Sequence, residues 1–389
     1  MATRHKVDVF TLADDPRDLA HREALGGYCN RLTVARVRPR LARLRSLPFL
    51  VTATPLTVPY FYSAELQKEV DEALLQGSYD RIFVYCSAMA QYVRPAGSIP
   101  ILADLVDVDS DKWTQYAAYT SFPFSTVYRR EGRTLQAYER TVCERAACVL
   151  VSTEREAQLA RGIAPGAHVQ VLPNGVNTEY FKPAMESGRE PAVIFTGDMS
   201  YFPNEEAVIY FARRVLPLIR REIAGVRFLI VGRNPGRKVQ GLAKIEGVEI
   251  TGFVPDVRTW LAKARVAVAP FTIAAGIQNK ILEAMAFGLP VVSTPRAVQG
   301  LSRRVAELVH TGNTAEELAS HLTVLLRDSS LAQRTGLDGR LRVIEDYSWD
   351  YASDRLLQLL EEPVAAGVSQ AEQPAVNGVT AGPLGSGIA

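Results

Sequence analysis

Short apolar runs alternate with amphipathic stretches along most of this chain. One set of runs lies before residue 173, and a second set follows Pro191. The predicted strands are residues 7–12, 32–37, 81–86, 101–108, 148–152, 169–172, 192–196, 227–231, 248–251, 266–269 and 291–293. Alternation of strands and helices produces parallel sheets covered by helices on both faces. The pattern therefore predicts an α/β protein.

At 389 residues, the chain is too long for a single hydrophobic core. The stretch 182–191, KPAMESGREP, separates the two sets of runs and has the composition of a linker. We expect an N-terminal domain over residues 1–185, a second domain over 186–345 and a C-terminal helix over 346–362. Residues 363–389 are mostly small or polar and lack periodicity, which predicts a disordered tail.

The composition is that of a soluble globular protein, with 47% hydrophobic and 22% charged residues. A net charge of +2 is too small to indicate nucleic-acid binding. No apolar run reaches the length of a membrane span, and the N-terminus lacks the apolar core of a signal peptide. We therefore expect a cytoplasmic protein, with peripheral attachment to the inner face of the membrane left open.

The segment 276–290, GIQNKILEAMAFGLP, combines a glycine, a helix start, a lysine and a glutamate. Helix N-termini favour anions, and Lys280 adds a positive charge there. Glu283 lies one turn further on, where a carboxylate can accept hydrogen bonds from ribose hydroxyls. The same residues suit a core helix in which Lys280 and Glu283 form an ordinary i,i+3 pair. Both interpretations, nucleotide site and core helix, remain open from this segment alone.

Further motifs follow one another in a characteristic order between residues 6 and 350. They are DLVDVDSDKW at 104–113, PNGV at 173–176, GDMSYFPN at 197–204, VGRNPG at 231–236, GFVPD at 252–256, the 276–290 segment and STPRAVQG at 293–300. In this order and spacing, the chain resembles GT-B glycosyltransferases of the retaining family four. Within that family it is most similar to sugar transferases associated with exosortase/PEP-CTERM exopolysaccharide clusters.

The resemblance implies two Rossmann-like domains that face a central cleft. The donor would bind the C-terminal domain, and the acceptor would bind the N-terminal domain. The implied enzyme is a retaining, metal-independent hexosyltransferase that needs no cofactor beyond its UDP- or GDP-linked donor. Its acceptor would be an exopolysaccharide or a lipid-linked glycan.

The resemblance also implies a set of donor-binding residues. They are Gly197, Arg233, Gly276, Asn279, Lys280 and Glu283. For Gly252 and Gly300, turn formation is an equal alternative to ligand contact.

Two departures from the family pattern concern the donor site. The first of two glutamates that the family spaces seven residues apart falls on Ala275, and the loop 197–204 lacks the family's basic residues. We therefore expect Arg233, Lys280 and backbone N–H groups to neutralise the diphosphate.

The acidic motif offers candidates for a catalytic carboxylate. Strand alternation would place Asp107 and Asp109 on one face, where either could orient or deprotonate an acceptor hydroxyl. An EF-hand is excluded, because Lys112 and Ala118 occupy positions six and twelve counted from Asp107. A solvated strand end and a metal site remain alternatives. In a retaining transferase, the leaving diphosphate can itself take the acceptor's proton, which leaves the protein a mainly electrostatic role.

The segment from Arg31 to Arg45 contains six arginines and no acidic residue. Several leucines lie between the arginines, and a basic amphipathic segment can bind anionic lipid with about 1 kcal/mol per well-placed base. A membrane surface is therefore a candidate partner, and a solvated helix is the alternative.

The first predicted strand, 7–12, corresponds to the second strand of the resembling family. The first strand is central in this topology. We therefore expect the N-terminal domain to lack its first βα unit and its sheet to contain a gap. We further expect the natural start about 35–45 residues upstream, the length of one βα unit.

Two other functions fit the same scaffold. A nucleotide-sugar 2-epimerase would need its own acid and base, but the histidines, at positions 5, 21, 168, 310 and 321, lie outside the donor motifs. A degenerate nucleotide-sugar-binding protein is suggested by Ala275 and by the absent βα unit.

Overall fold

The computed structural model describes residues 4–93, 97–183, 189–272 and 276–362. Ala275 and the predicted disordered tail lie outside these ranges. Among the described helices, none is both long enough and apolar enough to cross a membrane.

The strands of the described chain all pair in parallel. They are β1 (Asp8–Ala13), β2 (Arg31–Arg36), β3 (Ile82–Tyr85), β4 (Ile101–Val106), β5 (Cys148–Val151), β6 (Val169–Val171), β7 (Ala192–Thr196), β8 (Arg227–Val231), β9 (Val248–Gly252), β10 (Val266–Ala269), β11 (Val291–Ser293) and β12 (His310–Thr311). Every predicted strand is present, with small shifts at the ends. The sequence analysis missed β12, because it is too short to form an apolar run.

Helices connect these strands and cover the sheets. They are α1 (Arg22–Gly26), α2 (Pro39–Ser46), α3 (Thr57–Tyr60), α4 (Ala64–Gln76), α5 (Asp109–Ala118), α6 (Phe124–Arg145), α7 (Glu154–Ile163), α8 (Phe202–Tyr210), α9 (Leu216–Glu222), α10 (Arg237–Gln240), α11 (Arg258–Leu261), α12 (Asn279–Ala286), α13 (Pro295–Val298), α14 (Arg303–Ala306), α15 (Ala315–Arg327), α16 (Ser329–Tyr347) and α17 (Trp349–Glu361). The basic segment 31–45 is not one helix, since β2 contains its first residues and α2 its last.

The C-terminal sheet has the strand order β12-β11-β10-β7-β8-β9. The four inner strands, β11, β10, β7 and β8, are buried on both faces, as their largely apolar sequences require, while β12 and β9 at the edges are more exposed. The chain runs outward from β7 through β8 to β9 and then returns to β10 on the other side of β7. In an open parallel sheet, such a reversal leaves a crevice at the carboxyl ends of the two central strands, where ligands bind. The crevice of this sheet therefore lies between the ends of β7 and β10.

The N-terminal domain contains two separate groups of strands. The four strands β3-β4-β5-β6 form one sheet, and β1 pairs only with β2 in the part of the chain that the structure describes. Helix α4 packs its buried Leu66 and Val70 against Ala35 of β2 and against Tyr92. The sheet is thus interrupted between β1 and β3, as the gap predicted from the sequence requires.

The chain passes between the two domains at two adjacent segments. The backbone N–H of Val176 donates to the carbonyl of Tyr347 at 2.7 Å, and Val176 forms a parallel bridge with Ser348. Helix α17 then returns to the N-terminal domain, where Leu359 packs in a cluster with Leu102 and Leu150. This double crossing leaves the carboxyl ends of both sheets facing a shared cleft.

Candidate active site

Two glycines bring the ends of β7 and β8 unusually close together. A Cβ on Gly232 would lie 1.6 Å from the carbonyl oxygen of Gly197. A Cβ on Gly197 would in turn lie 3.0 Å from Nζ of Lys280 and 2.8 Å from Nδ2 of Asn204. Glycine at position 232 therefore allows the two strand ends to approach each other, and glycine at position 197 leaves space for the Lys280 ammonium.

Lys280 is held in an enclosed position at this crevice. Its Nζ donates to Oδ1 of Asn204 at 2.5 Å and lies 4.2 Å and 4.7 Å from the ring centroids of Phe195 and Phe271. Such cation–π contacts favour the charged amine. Burial nevertheless lowers the pKa of Lys280 to about 7, although the nearby Glu283 carboxylate opposes the shift. The charge of Lys280 is thus sensitive to any anion that enters the crevice.

Asn204 connects Lys280 to the loop that follows β7. Helix α8 begins at Phe202, and the Asn204 side chain within it bridges Lys280 to the carbonyl of Asp198, to which Nδ2 donates at 2.8 Å. The GDMSYFPN motif contained this residue, but only the tertiary structure places it against Lys280.

Helix α12 supplies the other predicted donor residues. Gly276 has a φ of +62°, which a residue with a side chain rarely adopts, and Asn279 is the exposed first residue of the helix. A Cβ on Gly300 would lie 2.4 Å from the carbonyl oxygen of Gly276. Gly300 therefore has a packing role that accounts for it without a ligand.

Glu283 is half-buried on α12, and burial raises its pKa, whereas Lys280 lowers it. In the described ranges, no side-chain hydrogen bond or ion pair within 4 Å engages its carboxylate, so both oxygens can accept from a ligand. Ile281 and Met285 on the same helix are fully buried. Helix α12 is therefore both a core helix and the wall of the crevice, so the two interpretations of this segment are compatible.

Arg233 is exposed but not free of partners. Its Nε donates to Oδ2 of Asp198 at 2.7 Å. Hydrogen bonds from Ser200, together with those from Arg233 and Asn234, hold the pKa of Asp198 well below its usual range. Sequence reasoning missed this pairing, although Asp198 lies in a quoted motif. Part of the Arg233 charge is therefore already balanced within the protein.

The acidic motif lies on the opposite side of the cleft. Strand β4 ends at Val106, whose φ of +64° is strained for a β-branched residue. Asp107 therefore lies in a turn, and Asp109 is the first residue of α5. The prediction that strand alternation places both on one face is wrong, because the strand ends before either residue.

Three carboxylates, of which Glu139 and Glu156 are buried and Asp104 is half-buried, hold this turn in place. Asp104 accepts from the N–H of Val106 at 3.0 Å, and Glu156 accepts from the N–H of Val108 at 2.7 Å. Glu139 accepts from both the N–H and the hydroxyl of Ser110, at 3.2 Å and 2.5 Å. Burial raises the pKa of Asp104 to about 6 and that of Glu139 to about 7.

Asp107 is the acidic residue that faces the donor side. Its Oδ1 accepts from Oγ of Ser152 at 2.9 Å, and a Cβ on Gly276 would lie 3.8 Å from the same oxygen. Asp109 lies 3.9 Å from the ammonium of Lys112, and burial raises its pKa. Apart from the position of Ser152 directly after β5, nothing in the sequence indicated that it contacts Asp107. The two domains thus bring Asp107 and Gly276 together across the cleft.

Metal binding was one alternative for the acidic motif. Within the four described ranges, no group of three or more His, Cys, Asp or Glu side chains is arranged to hold a metal ion.

Two protein families match this chain. Residues 1–175 match the glycosyl transferase 4-like domain, and residues 190–328 match glycosyl transferases group 1.

Curated relatives share a similar level of identity. The chain is 26% identical over 243 residues to a GDP-mannose-dependent alpha-(1-6)-phosphatidylinositol monomannoside mannosyltransferase of Mycobacterium tuberculosis, covering 56% of this chain and 62% of that protein. It is 28% identical over 230 residues to an alpha-maltose-1-phosphate synthase of the same organism, covering 51% and 57%. The chain thus aligns with less than two thirds of the length of these relatives.

Solved structures share the fold. Sucrose-phosphate synthase from Thermosynechococcus elongatus superposes with a TM-score of 0.61 at 18% identity, covering 91% of this chain and 94% of that one. HepE from Anabaena in complex with UDP gives a TM-score of 0.59 at 16% identity, covering 88% and 89%. The fold expected from the sequence, two Rossmann-like domains in the GT-B arrangement, is confirmed. The chain therefore combines a glycosyl transferase 4-like domain with a glycosyl transferases group 1 domain in the GT-B fold.

Proposed function

We propose that this protein transfers a hexose from a nucleotide-sugar to an exopolysaccharide or lipid-linked glycan, with retention and without a metal ion. The observation that carries this proposal is the approach of Asp107 to Gly276 across the cleft, where a Cβ on Gly276 would lie 3.8 Å from Oδ1. A carboxylate on the acceptor side thereby meets the glycine that precedes the donor-side helix. The resemblance of the sequence motifs to those of exosortase/PEP-CTERM-associated transferases supports an exopolysaccharide product.

In this proposal, the donor occupies the crevice between β7 and β10. Glu283 accepts hydrogen bonds from the ribose, while Lys280, Arg233 and the N-terminus of α12 at Asn279 face the diphosphate. The named relatives support a UDP- or GDP-linked donor, since one relative is described as GDP-mannose-dependent and one structural neighbour binds UDP. No further cofactor is required for this chemistry.

The protein's contribution to the reaction is positioning and electrostatics. Asp107, fixed by Ser152, orients the acceptor hydroxyl toward the sugar. Lys280 and the amide groups of α12 stabilise charge on the departing diphosphate, which can take the hydroxyl proton on the same face of the sugar. Retention follows from attack on the face that the leaving group vacates.

Release of the nucleoside diphosphate tests this function. The protein is incubated with UDP-glucose or GDP-mannose, with and without a polyprenyl-diphosphate-linked sugar as acceptor. A transferase releases UDP or GDP only when acceptor is present. An epimerase would convert the sugar without release, and a binding protein would do neither, so either result would overturn the proposal.

We also propose that the enzyme works at the inner face of the cell membrane, in contact with anionic lipid through the segment from Arg31 to Arg45. Within this segment, Arg31 pairs with Glu69 at 2.6 Å and Arg45 donates to the carbonyl of Pro59 at 3.0 Å. Contact with lipid would therefore fall to the arginines between them.

A further inference from the structure

Helices α5 and α6 form an antiparallel hairpin that projects beyond the N-terminal sheet. Ser110 near the start of α5 donates to Glu139, and a Cβ on Gly132 would lie 2.6 Å from Oγ1 of Thr114. Ser110 lies just past the carboxyl end of β4. At about 1.5 Å per residue, the helix rises roughly 14 Å from Ser110 to Tyr119. The tip of the hairpin therefore lies well above the edge of the sheet.

The tip of this hairpin is aromatic and solvent-exposed. Tyr119 is 72% exposed, Phe122 is 82% exposed and Phe124 is 62% exposed. Below the tip, the ring of Trp113 packs against Tyr128 with centroids 5.1 Å apart and ties the two helices together. Exposure of three large rings at one site is unfavourable in water and marks an interaction surface.

The charge around the tip has a single sign. No Asp or Glu occurs between Lys112 and Glu131, while Lys112 and Arg129 are exposed. Glu131 itself is buried and accepts from the backbone N–H groups of Leu56 and Thr57. Lys112 lies 3.9 Å from Asp109 at the base of the hairpin, whereas the charged residues between Lys112 and Glu131 are both arginines. An anionic surface that approaches the tip would therefore meet rings and bases.

A second surface of similar character is fixed beside the hairpin. Arg130 of α6 donates to the carbonyls of Thr52 and Thr54, which holds the segment that follows α2 against the hairpin. Helix α2 and its N-terminal flank expose Arg38, Arg40, Leu41, Arg43 and Leu44. Rings and leucines together with arginines match the interfacial layer of an anionic bilayer, where aromatic residues concentrate and bases meet headgroups.

The hairpin also borders the mouth of the cleft. Tyr201 lies in the loop after β7, on the donor side. Burial raises the pKa of Tyr201, and Tyr116 of α5 adds to the rise, while Lys112 opposes it. Helix α5 begins at Asp109, two residues after Asp107, whose Oδ1 would lie 3.8 Å from a Cβ on Gly276. The base of the hairpin therefore borders the cleft, and its tip lies beyond that point.

We propose that the aromatic tip, defined as Tyr119, Phe122 and Phe124, inserts into the interfacial layer of an anionic bilayer while α2 lies on the headgroups beside it. The tip adds an inserted apolar element to the basic segment, which by itself only contacts the membrane surface. Insertion of the tip would turn the mouth of the cleft toward the lipid. It rests on the proposed function only in the reason for that orientation, which is access to a lipid-linked acceptor.

Vesicle flotation tests the insertion. The full chain is mixed with vesicles of equimolar phosphatidylcholine and phosphatidylglycerol, and with phosphatidylcholine alone. We expect the protein to float only with the anionic vesicles, and the double variant Phe122→Ser with Phe124→Ser to lose about tenfold in vesicle-bound fraction. The triple variant Arg38→Ser, Arg40→Ser and Arg43→Ser should bind weakly and lose its sensitivity to salt.

The matched control is the double variant Leu75→Ser with Leu341→Ser, which removes exposed apolar side chains elsewhere and should float like the parent. A Phe122→Trp variant adds a fluorophore at the tip. Quenching of its fluorescence by lipids with brominated acyl chains would place the tip in the bilayer. The proposal is overturned if the tip variant floats like the parent. It is also overturned if the parent does not float. A change of oligomeric state in the tip variant, measured by light scattering, would then assign the tip to self-association.

A thermal-shift measurement with nucleotide-sugars separates this proposal from the proposed function. Donor binding without flotation would reject the membrane surface alone. Flotation without donor binding would reject the transferase and leave the membrane surface standing.

Discussion

Lys280 shows how one residue depends on its neighbours for its chemistry. The ammonium lies against two aromatic rings and one amide oxygen, beneath a glycine that leaves it space. Sequence reasoning placed Lys280 at a helix N-terminus as a simple positive charge. Its burial, and hence its lowered pKa, depends on Phe195 and Phe271, which lie on other elements and whose contact with Lys280 no local pattern indicates.

The affinity for nucleotide-sugar should fall as the pH rises above about 7. Lys280 of the free protein has a pKa of about 7, and a bound diphosphate favours its protonated form, so binding is tightest where the amine is already charged. The diphosphate of a nucleotide-sugar has no ionisation near neutral pH, unlike free UDP. Titration calorimetry from pH 6 to pH 9 should show donor affinity falling by up to about tenfold per pH unit above pH 7.

Lys280→Met should bind more weakly at low pH and show little pH dependence. Lys244→Met removes an exposed lysine and serves as the control, with a parental profile. A parent affinity that does not change with pH would contradict the assignment of Lys280 to the diphosphate.

Asp107→Asn should lower kcat by about a hundredfold or more, because removal of an acid–base or orienting group typically has an effect of this size. Donor affinity should stay near its parental value. Asp109→Asn should have a smaller effect, because Asp109 lies beside Lys112 and Asp107 is the residue near Gly276. Steady-state kinetics with separate donor-binding measurements check both variants. Parental turnover in both would remove the carboxylate from the mechanism.

At the scale of elements, the close approach of β7 and β8 is a structural requirement of the crevice. Gly232→Ala places a methyl group 1.6 Å from the backbone of Gly197 in the present geometry, so the strand ends must separate. We expect a loss of about 3 kcal/mol in unfolding free energy, seen as a lower Tm, and weaker nucleotide-sugar binding.

The control for this change is Gly225→Ala, since a Cβ there would meet no atom within 4 Å. It should melt within a few degrees of the parent. Equal Tm values for Gly232→Ala and the parent would show that the strand ends tolerate separation.

Glu139, which holds the start of α5, should make stability depend on pH. Its folded pKa of about 7 lies above its ordinary value of 4.5, so its favourable contribution is complete below about pH 4.5 and is lost as the pH rises through about 7. The loss is at most about 3 kcal/mol. Melting curves should show that Glu139→Gln gains stability relative to the parent between pH 5 and pH 8.

Glu144→Gln on the same helix is the control, because Glu144 is exposed and paired with Arg140. Relative to the parent, it should change stability less than Glu139→Gln does. If Glu139→Gln behaves in the same way as Glu144→Gln, the buried carboxylate does not titrate in this range.

Local patterns predicted the strands well because continuous apolar runs such as 227–231 and 266–269 belong to buried parallel strands. The end of β4 was predicted less well. The apolar alternation continues through Val108, but Asp104, Glu156 and Glu139 accept from the backbone N–H groups of residues 106, 108 and 110 and turn the chain. Such side-chain contacts from distant elements are not visible in a linear pattern. Ser152 and Asn204 were missed for the same reason.

At the scale of the whole molecule, the motifs that lie far apart in sequence meet across one cleft. The acidic turn after β4 and the glycine before α12 belong to different domains, and Asp107 and Gly276 lie close together because the chain crosses between the domains at Val176 and Ser348. The resemblance to a known family indicated this arrangement, while composition and periodicity indicated only the sheets. The break between β1 and β3 likewise follows from topology and not from any single residue.

The central claim is that the crevice between β7 and β10 binds a nucleotide-sugar through Glu283. Titration calorimetry of the parent, Glu283→Gln and the exposed-residue control Glu316→Gln with UDP-glucose and GDP-mannose tests it most directly. We predict that the parent binds one donor with a Kd of about 1 mM or tighter, that Glu316→Gln matches it, and that Glu283→Gln weakens binding by about tenfold or more. Binding of neither donor by the parent, or equal binding by Glu283→Gln, would contradict the claim.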